Sequence, residues 1–145
     1  NNNNNNDDYT NNIHHLYLEG NYFGDEGCGP LSKLLSSPQC SIREIYLGQN
    51  RIGPAGARSL ASSLRSNDTL SKMYLEGNQI GEEGAAAFCE MMEGRREEAE
   101  GAAGASTTTT SPLKYLYVDN NNIGKEMSNR LARALGNDNA IADIS

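Results

Sequence analysis

Much of what proteins use for catalysis, membrane insertion and nucleic-acid binding is missing from these 145 residues. No apolar run approaches the roughly 18 residues a spanning helix needs, and no signal-peptide build is present, so a membrane is not an expected partner. The three cysteines, Cys28, Cys40 and Cys89, are odd in number and lack C-x-x-C spacing. A disulfide framework is therefore not expected, and they read as reduced core thiols of a cytoplasmic protein. The two histidines, His14 and His15, are adjacent, and neighbours on a strand point to opposite faces, so they do not share a metal or a substrate. No G-x-S-x-G motif occurs, and no Lys-Ser or Lys-Thr follows a glycine-rich loop, which removes the usual nucleophile and phosphate-binding signatures. Neither a catalytic residue nor a cofactor or metal is expected. Basic residues are scarce as well: 12 Lys and Arg stand against 19 Asp and Glu, a net charge of -7. That balance repels phosphate backbones and disfavours nucleic acid, while it suits a protein partner with a basic patch.

What the chain does contain is repetition. Residues 16–24 read LYLEGNYFG, 45–53 IYLGQNRIG, 73–81 MYLEGNQIG and 116–124 LYVDNNNIG. Four units begin at Ile13, Ile42, Leu70 and Leu113, spaced by 29, 28 and 43 residues. Each opens on alternating apolar positions, the pattern of a short strand, and continues with apolar residues three and four apart, such as Ala57, Leu60, Ala61 and Leu64, the pattern of a helix. A fixed period of this length marks a stacked architecture in which one unit cannot bury its own apolar side.

The pattern, most complete in LSKMYLEGNQIGEEGAAAFCEMM, resembles the leucine-rich repeats of the ribonuclease-inhibitor type. The resemblance implies an α/β solenoid, a right-handed horseshoe with parallel strands on the concave face and helices on the convex face. It also implies that Asn21, Asn50, Asn78 and Asn121, one after each strand, bond backbone groups of adjacent turns. Gly24, Gly53, Gly81 and Gly124 fall where the chain turns into each helix. Gly27, Gly56 and Gly84 share an offset that Met127 breaks, so a distorted last turn or a different helix start is expected there.

The expected organisation is a disordered polar tail over 1–12 and a repeat domain over 13–145. A low-complexity insertion interrupts the domain near 95–112, and a truncated fifth strand lies at 141–145. The charged part of the insertion, Arg95 to Glu100, suits an extension of the preceding helix through pairs such as Arg96 with Glu100. A start at Asn1 and an unfinished last strand read as a fragment of a longer repeat protein. The sequon Asn67-Asp68-Thr69 matters only in a secreted chain.

The informative positions lie between the inward-pointing strand residues. They are His15, Tyr17 and Glu19; Glu44, Tyr46 and Gly48; Lys72, Tyr74 and Glu76; Tyr115, Tyr117 and Asp119. Parallel neighbours about 4.8 Å apart would set Tyr17, Tyr46, Tyr74 and Tyr117 in one ladder. Glu19, Glu76 and Asp119 form an acidic row toward the strand ends, while Arg43, Lys72 and Lys114 lie toward the strand starts. Stacked aromatics stabilise a sheet, and tyrosine is also a favoured interface anchor; the two roles are compatible. The candidate partner-binding residues are therefore the four ladder tyrosines with Tyr115, Glu19, Glu44, Lys72, Glu76 and Asp119. The function expected is protein–protein interaction on the concave face. The alternatives are regulation of a partner's catalysis, since the same repeat type builds GTPase-activating proteins, and a structural segment of a longer array.

Overall fold

The computed structural model describes residues 13–101 and 112–136. The polar tail over 1–12, the loop after Gly101 and the fifth strand at 141–145 fall outside the described residues. Eight elements alternate: β1 (His15–Tyr17), α1 (Gly24–Ser36), β2 (Glu44–Tyr46), α2 (Pro54–Ser63), β3 (Lys72–Tyr74), α3 (Gly81–Gly101), β4 (Tyr115–Tyr117) and α4 (Lys125–Leu135). The strands form one parallel sheet in chain order. The fold is the expected leucine-rich repeat stack, one strand and one helix per unit.

The strands are short because only three or four residues per unit alternate before the turn. Ile45, Leu47, Met73, Leu75 and Leu116 point inward and are fully buried. From the helix layer Leu31, Leu60, Phe88 and Leu131 close on them, each contributing about 1.5–3 kcal/mol through burial. Leu16 and Leu18 occupy the same positions in the first unit but are only partly buried. Among the described residues no unit covers their outer side.

The turns after the strands are held by the asparagine row. Asn78 donates to the carbonyls of Leu47 at 2.9 Å and Leu75 at 2.8 Å. Its Oδ1 accepts from the backbone N–H of Asn50 at 2.9 Å and Ile52 at 3.0 Å. Asn50 likewise donates to Leu18 and Leu47 and accepts from the Asn21 N–H, and Asn121 donates to Leu75 and Val118 and accepts from the Ile80 N–H. The Asn50, Asn78 and Asn121 side chains thus each satisfy backbone groups of two units, which a buried turn requires, whereas Asn21 departs from the expectation and donates only within its own unit, to the carbonyls of Leu18 and Glu19.

Consecutive units are not equivalent. In units one and three, Gly24 and Gly81 have φ of +59° and +64° and donate N–H groups to the carbonyls of Asn50 and Asn121, at 2.8 and 2.9 Å. In units two and four, Gly53 and Gly124 are extended and precede the helix as its N-cap. The N-cap of α2 supplies no side-chain hydrogen bond. Instead Asp25 of the unit before accepts from the N–H of Gly53 at 2.6 Å and Gly56 at 2.9 Å, placing a carboxylate where the helix dipole favours one. Glu82 lies close against Gly124 at the start of α4: a Cβ there would sit 2.4 Å from its Oε1.

Three local expectations need revision or extension. The last unit is not displaced by Met127, because α4 starts at the offset of α2 and Met127 packs against the core cluster. In the helical part of the insertion, Arg96 donates to the Arg133 carbonyl at 3.2 Å rather than pairing with Glu100. Arg95 is buried, donating to the carbonyls of Leu64 and Asn67 and to the Asp68 carboxylate. The sequon is closed in the folded chain. Asn67 is buried, its amide donating to the Leu35 carbonyl and accepting from the N–H of Thr69 and Leu70.

Candidate interaction surface on the open face of the sheet

The strand register brings Tyr17, Tyr46, Tyr74 and Tyr117 side by side. Their ring centroids are 4.5, 4.3 and 4.5 Å apart, with interplanar angles of 16°, 6° and 6°. Strand spacing and ring thickness nearly coincide, so each ring lies flat on the next. The stacking consumes the faces of the two central rings, Tyr46 and Tyr74. What they offer outward is a ridge of ring edges. Tyr17 ends the ladder and is 67% exposed.

On the strand-start side, His15, Glu44, Lys72 and Tyr115 share one row. The Glu44 carboxylate accepts from the Tyr46 hydroxyl at 2.9 Å, pairs with Lys72 Nζ at 2.9 Å and lies 3.6 Å from His15 Nδ1. Lys72 also sits 5.9 Å above the Tyr115 ring. These contacts are mutual. The bonds from Lys72 and Tyr46 hold the Glu44 carboxyl below the usual range, and the Glu44 bond pushes the Tyr46 hydroxyl up. Glu44 and Lys72 face the open side as a neutralised pair.

On the strand-end side the row is Glu19, Gly48, Glu76 and Asp119. Among the described residues neither Glu19 nor Glu76 forms an ion pair. Burial, with Asp119 and Glu19 nearby, pushes the Glu76 carboxyl above its ordinary value. Gly48 leaves a gap in the row, and Glu19 leans across it. A Cβ on Gly48 would meet Glu19 Cγ and Oε1 at 3.4 Å and the Glu76 carbonyl at 3.3 Å. The resulting pocket of about 290 Å³ is lined by Tyr46 and Tyr74, Glu19 and Glu76, Gly48, and the turn residues Gln49, Gly77 and Asn120.

Sequence reasoning placed the row members but missed the turn residues. Gln49 and Asn120 have φ near +56° and +55°, as Gly77 does at +68°, and this left-handed step aims them at the pocket rim. Their shared offset one residue before each repeat asparagine was the available signal. Arg51, stacked 4.6 Å from the Tyr22 ring, was also missed. All three cysteines are buried, and burial pushes Cys28 up to about 12 and Cys89 up to about 11, far from a reactive thiolate. Among the described residues no group of His, Cys, Asp and Glu is arranged to hold a metal, and no helix is long and apolar enough to cross a membrane.

Comparison with known proteins agrees with this architecture. The leucine-rich repeat family model matches at residues 10–32, 39–61 and 66–89. NACHT, LRR and PYD domains-containing protein 5 from Homo sapiens is 39% identical over 53% of this chain, a stretch that is 6% of that protein. Ribonuclease inhibitor from Sus scrofa is 34% identical over 55% of this chain and 18% of its own length. The chain thus spans less than a fifth of either relative. A solved structure titled Leiomodin-1 Actin-Binding Site 2 superposes with a TM-score of 0.66 and 17% identity, covering 86% of this chain and 66% of that one, which speaks to the fold alone. The chain is a leucine-rich repeat protein of the ribonuclease-inhibitor type.

Proposed function

We propose that this chain is a protein-interaction module that binds its partner on the open face of the sheet, acting by binding and not by catalysis. The carrying observation is the ladder: four stacked tyrosines make a rigid apolar ridge with hydroxyls along it. Such a ridge loses little conformational freedom when covered, because stacking has already fixed the rings. Tyr46 and Tyr74 occupy its centre and are the anchors, where a rim excludes water best. The buried free thiols suit a cytoplasmic setting.

The test is affinity capture with the 145-residue chain and identification of the partner, followed by dissociation constants for single alanine variants. Tyr46→Ala or Tyr74→Ala is expected to cost about 2 kcal/mol or more, mostly through faster dissociation. A partner that ignores both tyrosines and is lost on changing Arg58 or Arg65 in the helix layer would overturn the assignment.

A further inference from the structure

We infer that the outer edge of β1 is a self-association surface, on which a second copy of this chain adds its own β1 antiparallel, the two related by a two-fold axis through Tyr17. This goes beyond the partner reading above, which uses the face of the sheet and not its edge.

Apolar exposure marks the seam. The large apolar side chains exposed among the described residues, Ile13, Tyr17, Tyr22 and Leu34, all belong to unit one. Leu34 holds the helix position at which Ser63, Met91 and Ala134 are buried in the later units, as Leu16 and Leu18 hold the positions of the buried Ile45 and Leu47. The exposure therefore lies on the side of unit one away from β2. There β1 ends the sheet. It bonds to β2 through His14 and Leu18, and alternation turns the backbone groups of His15 and Tyr17 to the outer edge. Edge strands are ordinarily protected by proline, lysine or a bulge, yet residues 13–19, IHHLYLE, contain neither proline nor lysine.

The occupant is a second copy because this edge matches its own reverse. Antiparallel pairing centred on Tyr17 sets Leu16 opposite the second copy's Leu18 and His15 opposite its Glu19, and the axis repeats each pair. The leucines close on the apolar side. The imidazole meets a carboxylate that is in no ion pair among the described residues. On the open face the two Tyr17 rings become neighbours, which continues the stacked row across the axis. A register two residues off sets Tyr17 opposite His15 or Glu19 and loses the charged pair, and a shift of one puts leucines against the open-face row.

The test is sedimentation velocity of the 145-residue chain from about 1 to about 500 µM in about 0.15 M salt, which screens the net charge of -7 on each copy. A monomer–dimer equilibrium is expected. His15→Glu, which sets carboxylates opposite each other, and Glu19→Lys, which removes the acceptor from both pairs, should each weaken it by about ten-fold. Mixing the two variants should restore association, because one crossing then keeps histidine opposite glutamate and the other sets glutamate opposite lysine. Recovery on mixing also shows that both variants are folded. Oxidation should link Tyr17→Cys into a covalent dimer, since Cα atoms about 5.5 Å apart in such a pair suit a disulfide. Tyr74→Cys, inside the sheet, should not link, and the three native cysteines are buried. A chain that stays monomeric throughout, assemblies that grow past the dimer as head-to-tail stacking would give, no recovery on mixing, or equal linking of Tyr74→Cys would each overturn the inference.

Discussion

The two rows that flank the tyrosine ladder sit on the same strands, a few ångströms apart, and differ in how their charges are spent. At the strand starts a carboxylate, an ammonium and a hydroxyl close on one another through Glu44, Lys72 and Tyr46. At the strand ends the Glu19 side chain lies over Gly48 and Glu76 lines the same pocket, and among the described residues neither is in an ion pair. The difference is one of cross-strand order: placing Lys72 beside Glu44 pairs opposite charges on neighbouring strands, whereas the other row puts like charges within reach. Neighbouring opposite charges stabilise a sheet by a few tenths to 1 kcal/mol and like charges oppose it by similar amounts. The first row contributes to folding, whereas the like charges of the second work against it by a similar small amount.

Both rows depend on the layer beneath them, and the largest effect is expected there. Asn78→Leu strands two backbone N–H groups and two carbonyls in a buried turn and should cost about 3 kcal/mol in denaturant melts. Tyr74→Ala, which removes two ring stacks from the open face, should cost about 1–2 kcal/mol. The reverse order would mean that the ladder, not the asparagine layer, holds the rows in register.

A sharper test exchanges charge in each row. Glu44→Lys sets like charges beside Lys72 and removes the acceptor of Tyr46, so it should destabilise by about 1 kcal/mol. Glu76→Lys sets a cation between Glu19 and Asp119 and should stabilise by about 0.5 kcal/mol. Matching signs in thermal melts would erase the distinction between the rows.

The smallest effect is in pH dependence. Glu44 has a lowered folded-state pKa, so its contribution is present above the ordinary glutamate range and is lost as pH falls. Glu76 has a raised one, so its charge costs stability near neutrality, and the cost disappears as pH falls through its folded pKa. Glu44→Gln should therefore destabilise and Glu76→Gln stabilise at pH 7, each by about 0.5 kcal/mol. Both differences should vanish in acid, that of Glu76 first. Stability curves for both variants between neutral and acidic pH check the sign.

The strands, their parallel register and the asparagine row were legible because they depend only on backbone period. Leu16, Ile45, Met73 and Leu116 repeat at fixed offsets, and offset alone decides which face they share. The ladder was legible for the same reason, but its consequence was not: that the central rings present edges follows from the match between strand spacing and ring thickness. Lys72 was read with Arg43 and Lys114 as a basic edge, yet its contact with Glu44 is a matter of rotamer and not of position. Arg95 is a stronger case. A polar stretch inside an insertion gives no sign that one guanidinium turns back to three acceptors at the end of α2.

The carboxylate of Asp25 capping the next unit's helix also decides how such a chain can be cut and rejoined. A unit that supplies a cap is followed by one that needs it, so the transferable module is a pair of repeats. Removing two neighbours leaves every donor facing a receiver. Removing unit two sets Asp25 against α3, which begins on its own left-handed Gly81, and removing unit one leaves α2 without Asp25. Insertions and deletions in this chain should therefore be tolerated in even numbers of repeats.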